Sequence, residues 1–213
     1  LYGTDARFLE ARGFETHNDF SPKLNSEDYG LAFPQLYSDF YAPFGPGITM
    51  RVGRYYSPLG YEGAAATGNF FYSRSLARMN CEAFTLTGAL FMTEIGRWKL
   101  LAGFDRGLDN WVDNNSDYSM VFGARYTSES GRSDVSWTIH TGSEYDRDTG
   151  SDAYSTQMTF YIAHRFTSRF EYVFQYDHYI AANLHGDGSN PAIVTLGQYL
   201  FYKIDPCLKA GAR

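Results

Sequence analysis

FTLTGALFMT, residues 84–93, and YSMVFGARYT, residues 118–127, decide the fold. In the first, Phe84, Leu86, Gly88, Leu90 and Met92 alternate with Thr85, Thr87, Ala89, Phe91 and Thr93, which leaves one greasy face. In the second, Tyr118, Met120, Phe122, Ala124 and Tyr126 alternate with Ser119, Val121, Gly123, Arg125 and Thr127. A period of two belongs to a β-strand covered on one side. The pattern recurs: Val135, Trp137 and Ile139 oppose Ser136, Thr138 and His140, and Met158, Phe160 and Ile162 oppose Gln157, Thr159 and Tyr161. Phe170, Tyr172, Phe174 and Tyr176 likewise oppose Glu171, Val173, Gln175 and Asp177. Nine complete strands are expected, near 31–42, 47–57, 83–94, 97–108, 118–128, 132–142, 154–166, 169–181 and 194–204, with partial ones at both termini.

Composition agrees. Of 213 residues, 18 are Tyr, 17 Phe and 3 Trp, and Arg far outnumbers Lys, so the common formers of surface helices are scarce. A helical bundle is excluded. The mean hydropathy of -0.38 in a chain 44% apolar suits strands in which each apolar position is followed by a polar one. No apolar run approaches the roughly 18 residues of a membrane helix, but a spanning β-strand alternates and needs no such run.

The links between strands separate a soluble sandwich from a membrane barrel. Tight reversals are expected at Pro43–Pro46, Ile95–Gly96, Glu129–Gly131, Thr167–Ser168 and Ile204–Pro206. Long polar connections are expected at 58–82, 109–117, 143–153 and 182–193, so that short and long links alternate, as in outer-membrane barrels. A strand of about 12 residues is about 40 Å long and, tilted by about 40°, crosses roughly 30 Å. Tyr41, Phe44, Trp98, Tyr126, Phe166, Phe170 and Tyr202 near the short turns, with Tyr118, Tyr154 and Tyr179 near the long links, read as two aromatic girdles. A sandwich would have shorter strands and would need a second sheet over the greasy side, which lipid covers directly. The expected fold is therefore all-β: one antiparallel up-and-down transmembrane barrel domain over 1–213. Because the chain begins and ends in strand-like sequence, it reads as an incomplete excerpt of a longer, processed protein.

The stretches YGTDARF at 2–8, YGLAFPQLYSDF at 29–40, VGRYYSPLGYE at 52–62, NFFYSRS at 69–75, FTLTG at 84–88, RGLDNWVDNNSD at 106–117 and LGQYLFYKI at 196–204 resemble the OmpL-like β-barrel porin family of bacterial outer membranes, planctomycete members among them. The resemblance covers nearly the whole chain. It implies an outer-membrane barrel for passive passage of small hydrophilic solutes or ions, with membrane lipid as its surroundings and no catalytic or ligand residue to transfer.

A porin needs a wet bore with a field across it. The polar phase of each strand gives the candidate lining: Asp39, Arg51, Lys99, Asp105, Arg125, Gln157, Arg165, Glu171, Gln175, Asp177 and Lys203. Facing rows of acid and base there would create a transverse field. The phase is firm for Arg51 and Arg125 and ambiguous for Asp39 and for the strand from 194, while Arg54 falls out of phase. The longest link, 58–82, carries Glu62, Phe70, Phe71, Tyr72, Arg74 and Arg78. It either folds inward as a constriction, packs over the rim, or contacts a neighbouring subunit of a homo-oligomer.

Other chemistries find little support. The net charge of -6 and the absence of a basic stripe argue against nucleic acid. His17, His140, His164, His178 and His185 stand in no triad-like relation; Ser143 follows His140 without a third partner. No enzyme activity and no cofactor are expected. Asp113, Asn115 and Asp117, like Asp146 and Asp148, have the odd-position spacing of a calcium loop; at 113–124 its central Gly and closing acid are missing, so an ordinary polar loop is the expectation and loop-bound Ca2+ the alternative. Cys81 and Cys207 fall on opposite sides of the membrane and should not pair. Asp109, Asp113, Asp117, Glu144, Asp146, Asp148 and Asp152 should form an acidic vestibule at the long-link mouth. The alternative to a porin is a non-conducting barrel that serves as an anchor or an adhesion or receptor platform.

Overall fold

The computed structural model describes residues 33–111, 115–146, 150–182 and 188–213. Gly96 sits at φ +61° between Ile95 and Trp98, which pair across it, so two residues reverse the chain. A glycine at the first central position is what a tight primed turn demands. Such reversals string ten strands into one antiparallel meander. They are β1 (Leu36–Ala42), β2 (Ile48–Tyr56), β3 (Thr85–Ile95), β4 (Trp98–Asp105), β5 (Ser119–Thr127), β6 (Ser133–Asp146), β7 (Ser151–Arg165), β8 (Phe170–Ala182), β9 (Ala192–Lys203) and β10 (Lys209–Ala212). Each pairs with its neighbours in sequence, and among the described residues β1 and β10 are the two edges of the sheet. Among the described residues helix is confined to the β2–β3 link: a 3-10 turn at Ala66–Gly68 and α1 (Leu76–Asn80). No helix among the described residues is long and apolar enough to cross a membrane.

The sheet curls. Glu82 stands three residues before β3, within about 11 Å of its start along the chain. It nevertheless accepts a hydrogen bond from Gln175 on β8 at 2.5 Å. On a flat sheet those strands would lie five spacings of about 4.8 Å apart, about 24 Å, so the wall must bend round to meet Glu82. One face thereby covers the 57–84 segment, and the other is open.

On β5 the open face carries Met120 and Phe122, both exposed, while Ser119 and Val121 are fully buried. The same phase puts Trp137 and Ile162 outside and Thr138, His140, Gln157 and Thr159 inside. On β3 the alternation is real but inverted. Leu86, Gly88, Leu90 and Met92, read from sequence as the greasy lipid-like face, share the covered face with Arg51 and Lys99. They are apolar because Leu59 of the segment packs on them, together with Tyr55, Ala83 and Val121. Burying one leucine contributes about 1.5–3 kcal/mol.

The expected long link at 143–153 is also corrected. β6 and β7 continue through Ser143↔Tyr154 and Glu144↔Ala153 to Asp146↔Ser151, leaving 147–150 as the connection. The polar residues of this extension satisfy their backbones by pairing across the ladder, and just before it Thr141 Oγ1 lies 2.8 Å from Thr156 Oγ1. The remaining links alternate short and long as expected. The proposed partial strand 1–8 lies outside the described residues. The C-terminal one is β10. Cys81 is buried, Cys207 is exposed, and both thiols are free.

Candidate functional site: the inward segment and the wall it meets

The segment begins by extending the ladder: Ser57 N donates to Phe84 O at 3.0 Å, which closes its neck. Gly60 then takes φ +85°, and a Cβ there would strike the carboxyl of Glu82, so glycine lets that carboxyl lie against the backbone. Asn69 closes the next loop by accepting from Gly63 N at 2.8 Å and donating to Gly63 O at 2.9 Å. Ser75 caps α1, its hydroxyl accepting from Arg78 N at 3.1 Å, while its own N–H donates to Glu62 Oε2 at 2.9 Å.

Those local features aim six side chains. Arg78, fully buried, donates to Glu82 Oε2 at 2.8 Å and to Leu59 O at 3.1 Å, with its guanidinium 4.7 Å from the Phe84 ring centre. Glu82, equally buried, meets Gln175 of β8, and Gln175 Oε1 accepts from Tyr61 N at 3.3 Å. The Tyr61 ring rests against Tyr161 and Tyr199 at 5.5 and 5.0 Å. Phe70 and Phe71 pack on Phe201, and Glu62 holds Arg213 at 2.6 Å. The segment therefore packs on the covered face of the curled sheet, against β7, β8 and β9. Tyr72 is 93% exposed, and the Arg74 guanidinium lies 4.7 Å from the Phe84 ring centre.

Burial raises the Glu82 carboxyl to about 7, because desolvation and Asp177 outweigh Arg78 and the hydrogen bonds that favour its charge. The Cys81 thiol beside it is pushed up to about 11 by burial.

All eleven lining candidates fall on the covered face by register, Asp39 and Lys203 included. Their charges, however, are not arranged as facing rows. Asp39 clamps Arg51 through two bonds of 2.8 Å, Asp134 takes Arg125, Glu94 lies 3.8 Å from Lys99, and Glu171 lies 3.7 Å from Lys209. Cross-strand neighbours are closer than opposite walls, so the pairing is local. Asp105 is buried against His140, Oδ1 to Nε2 at 3.0 Å, and also accepts from Gly107 N. Ser143 occupies the opposite phase from His140, which ends any nucleophile–base reading of that pair. Gln157 is buried, Asp177 accepts from Thr159 and Thr195, and Arg165 stands exposed near the short-link end. Under Ser57–Gly63 a cavity of about 320 Å³ remains, lined by Arg51, Lys99, Arg125, Leu101 and Tyr161.

Two supposed vestibule acids have other work. Asp109 Oδ1 accepts from Phe84 N and Thr85 N at 2.8 Å, and Glu144 accepts from Leu108 N and Ser119 Oγ, so both staple the β4–β5 link to the sheet. Asp117 and Asp152 are exposed. Asp113 and Asp148 lie outside the described residues, and so do His17 and His185. Asn115 caps the turn at Asp117 and donates to Ser143 O. Among the described residues no group of three His, Cys, Asp or Glu is placed to hold a metal. Arg54, out of phase, is buried on the open-face side of β2, donating to Thr85 Oγ1 at 2.7 Å near the Trp111 ring.

Glu82, Tyr61, Leu59 and Arg213 were missed by sequence reasoning. The i,i+4 spacing of Arg78 and Glu82 was the available signal for one of them. No curated protein and no solved structure matches the chain. A family model does, over residues 1–213, and with it the curled meander and its polar covered face have a home: the chain belongs to the family described as putative beta-barrel porin-2, OmpL-like.

Proposed function

We propose that the protein is an outer-membrane porin through which small hydrophilic solutes or ions diffuse passively, past an inward segment that narrows the bore. The observation that carries this is the division of the two faces. Phe40, Phe91, Phe104, Met120, Phe122, Trp137, Leu196 and Leu200 are exposed on the open face, while the covered face holds the charged and amide side chains. An apolar band of that extent suits lipid, and rings such as Trp98 on Tyr126 and Phe166 on Phe170 suit its interfaces. Membership of a porin-like family supports the same reading. Full-length protein added to a planar bilayer should give discrete conductance steps; a folded, detergent-purified barrel that gives none would sink it.

A second reading, the non-conducting anchor, is favoured by the firmness with which the segment docks, with Arg78 and Glu82 both fully buried. Absence of steps would support it.

Selectivity follows from the charges left free. Arg51 and Arg125 are neutralised by their partners, so exposed loop acids such as Asp117 should dominate at low salt and be screened beyond about 8 Å at physiological salt. We expect a weak cation preference that fades as salt rises. Reversal potentials across a KCl gradient check it, beside a variant with Asp113, Asp117, Asp146 and Asp148 changed to Asn. Unchanged selectivity at low salt would reduce those acids to solubilising charge.

A further inference from the structure

Where the segment meets β8, two carboxyls compete for one amide. Gln175 Nε2 donates to Glu82 Oε1 at 2.5 Å and to Asp177 Oδ2 at 2.8 Å. Asp177 also accepts from Thr159 of β7 at 2.8 Å and Thr195 of β9 at 3.1 Å. The ionisable groups facing Glu82 are Arg78 and the Cys81 thiol on its own segment, Asp177 on β8 and the buried Tyr199 phenol on β9; Thr159, Thr195 and Gln175 are neutral. One guanidinium therefore faces two carboxyls, all but out of contact with water. If both carboxyls ionise, the cluster keeps an uncompensated negative charge in a medium that stabilises it poorly.

We propose that Glu82 and Asp177 form a proton-operated latch: one proton held by the pair tightens the docking of the 57–84 segment on the wall, and losing it loosens that docking. The geometry is suited to this. Glu82 belongs to the segment and Asp177 to the wall, so their repulsion acts along the direction of undocking. Gly60 seats the Glu82 carboxyl without a side chain of its own in the way.

The sign follows from linkage. Glu82 ionises near 4.5 when exposed and about 7 when docked, so the docked form binds the proton more tightly. Docking is fully favoured below about 4.5, weakens about tenfold per pH unit up to about 7, and falls no further above that. Across the window the docked-to-released ratio drops on the order of 300-fold. In a conducting barrel the bore would therefore widen with rising pH, a consequence that rests on the porin reading. The latch itself does not.

Cys81, buried beside Glu82, reports on docking without any current being measured. With Cys207→Ser in the full-length protein, Cys81 is the only thiol in this chain. Its labelling rate by a small uncharged thiol reagent is taken from pH 5 to pH 8 and divided by the rate in urea, which cancels the thiol's own titration. The ratio should rise at least tenfold, and adding Glu82→Gln should leave it flat. Parallel curves with and without Glu82→Gln would overturn the latch, as would a ratio that follows potassium concentration and ignores pH, since a bound cation would then balance the charge. Should Glu82→Gln fail to fold, Asp177→Asn removes the same repulsion and carries the same expectation. A flat ratio in a barrel that conducts removes the latch and leaves the porin; a rising ratio in one that never conducts does the reverse.

Discussion

Replacing residues 64–80 with a short Gly-Ser link should raise single-channel conductance several-fold. The segment reaches from the neck at Ser57 and Phe84 to β7, β8 and β9, placing Tyr61, Phe70 and Phe71 against walls that would otherwise face water. Conductance through a wet bore follows its open cross-section, and a folded stretch with its own short helix, packed on the covered face, takes up space there. Keeping Leu59, Tyr61, Ala83 and Phe84 preserves the cluster on Leu86, Leu90 and Val121, so the β2–β3 wall retains its cover. The replaced stretch includes Arg78 and frees Glu82, and the barrel should lose stability without losing its strands, which are held by their own ladders. Conductance in planar bilayers is the measurement, with heat-modifiable migration as proof of folding. A folded variant with unchanged steps would mean that solute passes elsewhere, and the segment would be packing and nothing more.

The strands were legible because a period of two survives even in short windows. Residues 118–127 gave both faces of β5 correctly, and Arg51 could be placed inside from Ile48, Met50 and Val52 alone. The same rule misplaced the greasy face of β3, since alternation says that two faces differ and not which solvent each one meets. Leu86 and Leu90 look lipid-facing until Leu59 is known to cover them, and Leu59 lies in a link that has no periodicity to read. Asp109 shows the converse. Among acidic neighbours in an Asn-rich stretch it reads as loop charge, yet it sits at φ +59° and accepts two backbone N–H groups of the β3 start. Contacts such as Glu62 with Arg213, far apart in sequence, depend on the curl of the wall, and no local pattern encodes that.

Arg78→Met should cost about 3–5 kcal/mol of docking free energy at pH 8.5, because a buried carboxylate loses its cation and Leu59 O loses its donor. The cost should shrink at pH 5, where Glu82, already held near 7 with Arg78 beside it, carries a proton and no longer needs the charge. The partner change separates charge from shape. Glu82→Gln in the Arg78→Met background leaves an amide and a thioether of similar volume, and replacing both members of a buried pair is often close to neutral. The double variant should therefore recover most of the loss, an interaction of the size that a double-mutant cycle resolves. Pulse labelling of Cys81 along a urea series reads the local opening, and the fluorescence of Trp98, Trp111 and Trp137 reads the whole barrel. If Arg78→Met opens no more readily than wild type at pH 8.5, the pair does not hold the segment, and its place falls to the aromatic contacts of Tyr61, Phe70 and Phe71. If the loss is the same at pH 5 and pH 8.5, the guanidinium is serving Leu59 O and the Phe84 ring, not the charge on Glu82.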